Sequence, residues 1–84
     1  MIDALIKDLA IKEAKDARLK YGPFNSSHEA YAVLKEEIDE AWDIIKKKTK
    51  TTGDKLDLRI ELIQVAAVAL RFASEIKHNE IKHI

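Results

Sequence analysis

Two stretches of the sequence carry acidic residues at spacings that suit metal binding. The adjacent Glu36 and Glu37 are followed by Glu40, and Glu61 lies alone in a later apolar run. On a helix, residues three or four apart share a face, so these carboxylates neighbour one another and repel unless a cation lies between them. Carboxylate oxygens are hard ligands of the kind that Mg²⁺ and Mn²⁺ prefer.

The surroundings of Glu61 sharpen this prediction. It stands among isoleucines, leucines and a valine, with Gln64 one helical turn further on. A carboxylate buried there without a partner is costly or becomes protonated. It therefore needs a cation, an arginine such as Arg59 or Arg71, or contact with water. If the second and third helices pack antiparallel, Glu61 meets the earlier acids across their interface, and a solvated face with ordinary ion pairs is the alternative.

Helices are the elements that must position these acids. Apolar residues recur three to five positions apart, which is typical of amphipathic helices. Gly22-Pro23 and the stretch from Thr49 to Gly53 interrupt the pattern. Ser26 with Glu29 has the spacing of a capping box, and Asp54 is a favourable N-cap. The pattern predicts an all-α chain with helices at about 2–21, 27–50 and 54–78.

The third helix predicts a homo-oligomer. Apolar residues cover nearly its whole circumference, as in a helix surrounded by other helices. Two partner helices within 84 residues hardly enclose it, and the chain has no cysteine with which to add disulfides. We therefore expect a three-helix chain whose bundle is completed by a second copy, with alanines such as Ala66 and Ala69 allowing close approach.

Composition limits the classes of partner. The chain has 15 Lys and Arg against 15 Asp and Glu, a balance that argues against binding nucleic acid through a basic surface. No run approaches the ~18 apolar residues that a membrane span needs. The start, Met1-Ile2-Asp3-Ala4, lacks the features of a signal peptide, so we expect a cytoplasmic protein with no membrane partner. Phosphate-binding glycine loops, zinc-type spacings and a Ser-His-Asp set are also missing.

The two acidic stretches together resemble a known signature. Glu36-Glu37-x-x-Glu40, followed after 20 residues by Glu61, is similar to the EExxE and ExxD motifs of the all-α nucleoside triphosphate pyrophosphatases, the MazG-like superfamily. The sequence around these motifs is similar to that of short phage and bacterial members of the superfamily, over His28 to Asp43 and Glu61 to Phe72. The resemblance covers roughly residues 18 to 75.

This resemblance implies a fold, a reaction and a set of site residues. The fold is a helical bundle shared between subunits of a homo-dimer or tetramer. The reaction is Mg²⁺-dependent (or Mn²⁺-dependent) hydrolysis of an NTP or dNTP to a monophosphate and pyrophosphate. The implied catalytic residues are Glu36 and Glu37, with Glu36 a ligand or the group that orients the attacking water. The implied metal ligands are Glu37, Glu40 and Glu61. Charge and position add four candidates for substrate binding: Gln64, Lys55, Arg59 and Arg71.

One position departs from the family pattern. Gln64 stands where the ExxD motif has its aspartate. An amide offers a carbonyl oxygen to a metal but no charge, so metal affinity should fall. The alternative function is therefore a degenerate MazG-like protein that binds a nucleotide or a protein partner without turnover. A purely structural helical oligomer is the third hypothesis.

Overall fold

The chain folds into three α-helices joined by short connections. The computed structural model describes residues 1–84 and contains no β-sheet. The helices are α1 (Ala4–Tyr21), α2 (Ser27–Ile45) and α3 (Thr52–Lys77). The predicted all-α class is confirmed. Compared with the approximate predicted boundaries, α1 begins two residues later, α2 ends five residues earlier, and α3 begins two residues and ends one residue earlier.

Capping explains how α1 begins and ends. The Asp3 carboxylate accepts a hydrogen bond of 3.0 Å from the Ile6 amide, which satisfies a free N–H of the first turn. At the other end Gly22 adopts φ 70°, a conformation that favours glycine, and its N–H donates to the Arg18 carbonyl at 3.0 Å. Pro23 follows, so the predicted stop at this point is confirmed.

The early end of α2 has a cause in the sequence. After Ile45 come lysines at 46, 47, 48 and 50, which repel one another at helical spacing, and threonines, which lose rotamer freedom in a helix. The N-cap of α3 is then Thr51 and not Asp54. Thr51 Oγ1 accepts from the Asp54 amide and Asp54 Oδ2 accepts from the Thr51 amide, both at 3.0 Å. Asp54 therefore closes the capping box at its third position.

The capping box predicted for α2 is only half formed. Ser26 Oγ accepts from the Glu29 amide at 3.1 Å, as expected. The Glu29 carboxylate instead accepts from Asn25 Nδ2 at 3.0 Å.

The middle layer of the fold is α3. Helices α1 and α2 each pack against α3 and do not contact each other. An ion pair of 2.8 Å between Lys47 and Asp54 joins the end of α2 to the start of α3, while Ala30 packs near Phe72 at their other ends. Helix α2 therefore runs antiparallel to α3, as the acidic site requires. Helix α1 runs parallel to α3.

The last residues of the chain dock onto the fold instead of fraying. Asn79 adopts φ 54°, and the Glu80 amide donates to the Glu75 carbonyl at 2.9 Å, which ends α3 in a Schellman-type turn. The turn directs Ile81 inward, where it is 6 % exposed beside Phe24 and Ala30. The side chains of His78 and His83 remain exposed on either side of this buried isoleucine.

A buried polar network fixes the connection between α1 and α2. Glu75 is 2 % exposed and accepts a 2.7 Å hydrogen bond from the Phe24 amide and a 3.0 Å one from Arg71 Nε. Arg71 also donates to the Gly22 carbonyl at 2.8 Å and stacks 3.8 Å from the Phe24 ring centroid. Arg18 lies against Glu75 and pairs with Glu80. These contacts satisfy the buried carboxylate from three segments of the chain.

A large apolar surface is left uncovered. Only seven of the 84 residues are buried, whereas sixteen large hydrophobic side chains are exposed. Trp42 of α2 is 55 % exposed, and Leu62 and Leu70 of α3 are exposed as well. None of the three helices has the length and hydropathy needed to cross a bilayer.

Candidate metal centre

Three glutamates from two helices converge at one point of the α2–α3 interface. Glu37 and Glu40 project from successive turns of α2, and Glu61 faces them from α3. One carboxylate oxygen from each residue lies within 4.8 Å of the others. Glu37 and Glu61 are half-buried and Glu40 is exposed, so the cluster is closed on the side of the helices and open to solvent at Glu40.

Glu61 carries the only buried side-chain polar atom without a hydrogen-bond partner. This atom is Oε2, and neither Arg59 nor Arg71 forms an ion pair with it. Ionised carboxylates accept hydrogen bonds and cannot donate them, so Glu37 and Glu40 satisfy Glu61 only if one of them holds a proton. Otherwise a cation must lie between them, because a buried acceptor left unsatisfied is costly.

The raised pKa values of Glu37 and Glu40 also indicate that the cluster needs a proton or a cation. Partial burial raises the pKa of Glu37, and the charge of Glu40 raises it further, against a smaller opposing effect of hydrogen bonding with Glu61. The pKa of Glu40 is raised chiefly by hydrogen bonding with Glu61 and by the charge of that carboxylate. The cluster without a cation therefore resists full ionisation, as closely spaced carboxylates do.

The donor set fits a small divalent cation. All three donors are carboxylate oxygens, the ligands that Mg²⁺ and Mn²⁺ prefer. With Mg–O bonds of about 2.0–2.1 Å, two oxygens on opposite sides of one ion lie about 4 Å apart. The three donor oxygens of the cluster all lie within 4.8 Å of one another, which is close to this separation. The open side at Glu40 leaves room for water or a phosphate oxygen.

Two other predicted site residues lie beside this cluster. Glu36 is exposed on α2 and contributes no oxygen to the group of three, but its negative charge raises the pKa values of both Glu37 and Glu40. Gln64 is half-buried on α3, one turn beyond Glu61. Both are neighbours of the cluster and not members of it.

The three predicted phosphate-binding cations lie elsewhere. Lys55 and Arg59 line a cavity of about 320 Å³ next to Ile6 of α1, and none of the three glutamates borders it. Arg71 is held in the buried network by Glu75. Within one chain, the structure therefore brings none of these cations to the acidic cluster.

Sequence reasoning missed the role of Glu75. The signal was present, since Arg71 and Glu75 are four apart on one helix and such pairs interact. What the sequence did not reveal is that the Phe24 amide would complete the site from the α1–α2 connection.

Comparisons with family models, with curated proteins and with solved structures find no match to this chain.

Proposed function

We propose that this protein is a Mg²⁺-dependent nucleoside triphosphate pyrophosphohydrolase of the MazG-like kind, acting in the cytoplasm as a homo-oligomer. The observation that carries the proposal is the convergence of Glu37, Glu40 and Glu61, with a buried oxygen of Glu61 that has no partner. A shared divalent cation accounts for this arrangement. The resemblance of the two acidic motifs to the EExxE and ExxD signature supplies the reaction.

The residues of the cluster have distinct tasks in this proposal. Glu37, Glu40 and Glu61 hold the cation, and Glu36, exposed at the edge, orients the water that attacks phosphorus and accepts its proton. Bound Mg²⁺ supplies positive charge that offsets the negative charge of the triphosphate oxygens. The products are a nucleoside monophosphate and pyrophosphate. Because the cluster is open at Glu40, a bulky triphosphate reaches it without displacing either helix.

A second copy of the chain completes the bundle in this proposal. The exposed apolar surface supports a homo-oligomer, because soluble monomers rarely expose large contiguous apolar patches. On α3 the exposed side chains of Leu62, Ala66, Ala69 and Ala73 follow one another at spacings of three and four. Alanines at these positions let a second helix approach closely. Sedimentation equilibrium tests the oligomeric state. We expect a dimer or tetramer, and a monomer at micromolar concentration would contradict the proposal.

Product analysis tests the reaction. The protein is incubated with a panel of ribo- and deoxyribonucleoside triphosphates in Mg²⁺ or Mn²⁺, and the products are separated by ion-exchange chromatography. We expect monophosphate and pyrophosphate from one or a few substrates, and loss of both in Glu37→Gln. Glu13→Gln on the exposed face of α1 is the matched control. Diphosphate and free phosphate as products would contradict the reaction.

Gln64 favours a second candidate function. A neutral amide stands where the family motif has an aspartate, so the site has one charge fewer with which to hold the cation. The second candidate is a protein that binds a nucleotide in this site without hydrolysing it. It predicts a rise in melting temperature with nucleotide and Mg²⁺ but no product, and gain of turnover in Gln64→Asp. Turnover by the wild type eliminates this candidate.

A further inference from the structure

A second and larger cavity lies between α1 and α3, well away from the three glutamates. Its volume is about 490 Å³, within the range of roughly 300–1,000 Å³ in which proteins bind small molecules. Leu70 and Glu75, which line it, follow Glu61 on the same helix. With a rise of about 1.5 Å per residue, they are roughly 14 to 21 Å beyond it along the axis.

The charges around this cavity do not cancel. Three cations line it, Lys15, Arg18 and Arg71, against two carboxylates, Glu75 and Glu80. Both carboxylates are already engaged, since Arg71 and Arg18 lie against Glu75 and Arg18 pairs with Glu80. Lys15 takes part in no ion pair and carries the uncompensated positive charge. The cavity therefore favours a ligand with a single negative charge.

Apart from Ser74, the rest of the lining is apolar, and the inner wall is rigid. Ile11 and Leu19 of α1 and Leu70 of α3 contribute large side chains that are exposed in the chain as it stands. Behind them the side chains of Arg71 and Glu75 are only 9 % and 2 % exposed and are fixed by hydrogen bonds to the α1–α2 connection. A preformed wall of this kind lowers the entropic cost of binding a ligand.

We propose that this cavity binds a small amphiphilic anion, an apolar or aromatic body carrying one carboxylate, sulfonate or phosphodiester group. The body packs against Ile11, Leu19 and Leu70, and the anionic group pairs with Lys15 and accepts from the Ser74 hydroxyl, which donates to no protein acceptor. This site uses none of the three glutamates, so it stands independently of the pyrophosphohydrolase proposal.

Fluorescence titration with two probes tests the assignment. 1-Anilinonaphthalene-8-sulfonate carries the required charge, and N-phenyl-1-naphthylamine is its uncharged counterpart. Both are titrated into the full chain in EDTA, so that the acidic cluster holds no cation. The variants are Lys15→Glu at the cavity, the matched control Lys7→Glu on the same helix outside it, and Ala14→Trp, which fills the cavity. Helix content and oligomeric state are measured for each.

The proposal expects saturable binding of the sulfonate at one site per chain, and weaker binding of the uncharged probe. Lys15→Glu should raise the Kd by about fivefold or more, the effect of losing and reversing one partly exposed charge pair. Lys7→Glu should leave it unchanged, and Ala14→Trp should abolish binding. Equal affinity for both probes, equal effects of the two lysine variants, or no saturable binding because a second copy covers the cavity would each overturn the proposal. If Ala14→Trp does not fold, the lysine pair alone decides the outcome.

Discussion

Replacing Glu61 by glutamine should make the cation-free protein more stable. In the wild type, Glu61 Oε2 is buried without a partner and faces two further carboxylates. The glutamine amide has nearly the same shape, removes one negative charge and donates hydrogen bonds to Glu37 or Glu40. An unsatisfied buried polar group costs about 1–3 kcal/mol. Because Glu40 is exposed to solvent, we expect a gain near the lower limit of this range, about 1 kcal/mol.

Mg²⁺ should reverse this order of stability. A ligand at 100 times its Kd stabilises the folded state by about 2.7 kcal/mol. The wild type, with all three carboxylates, should gain this stabilisation, whereas Glu61→Gln has lost one charged ligand and should gain much less. Wild type is therefore less stable than the variant in EDTA and more stable in Mg²⁺.

Thermal unfolding followed by circular dichroism measures both effects. For a domain of 60–100 residues, 1 kcal/mol moves the Tm by about 4–8 °C, which is readily resolved. Protein concentration is held constant because assembly makes the Tm concentration-dependent. Glu13→Gln, an exposed glutamate on α1, is the control and should behave as wild type in both buffers. The reasoning is refuted if Glu61→Gln is less stable than wild type in EDTA and Mg²⁺ changes neither protein.

Three further predictions concern pH and the two buried contacts near the end of α3. The pKa values of Glu37 and Glu40 are raised, so the folded chain binds protons more tightly than the unfolded chain. In EDTA, the free energy of unfolding measured in urea should therefore fall as the pH rises from 4.5, the ordinary pKa of a glutamate, through the raised pKa values of the folded chain. Glu40→Gln should make this pH dependence weaker. Arg71→Met leaves Arg18 as the only cation beside the buried Glu75 carboxylate and should lower the free energy of unfolding by about 3 kcal/mol, whereas no loss would show that the network is dispensable. Ile81→Ala should cost about 2–5 kcal/mol in the same urea titration, and a cost below 0.5 kcal/mol, typical of a surface position, would show that the C-terminal segment is not docked.

The acidic cluster was predictable because it depends on local spacing. Glu37 and Glu40 share a helix face whatever the tertiary structure, and Glu61 within an apolar run required a partner. One assumption about topology, antiparallel packing of α2 on α3, was then enough to bring them together. The short connection between these helices made that assumption a natural one.

Features that depend on contacts distant in sequence were missed. The docking of Ile81 requires Asn79 in a left-handed conformation and a free backbone position at Ser27, whose amide donates to the His83 carbonyl at 2.8 Å. No periodic pattern encodes such a contact. The positions of the cations within one chain were not predictable for a similar reason, because charge alone does not indicate which face of α3 carries Lys55 or Arg59.

The central claim is that Glu37, Glu40 and Glu61 together hold a divalent cation, and titration with Mn²⁺ followed by electron paramagnetic resonance tests it most directly. Free Mn²⁺ gives a sharp six-line spectrum that is lost on binding, so bound metal per chain is read from the signal that remains. We predict saturable binding to the wild type and to Glu13→Gln, displacement by excess Mg²⁺, and strongly weakened binding in Glu61→Gln. Binding of equal strength in Glu61→Gln, or no binding to the folded wild type, would contradict it.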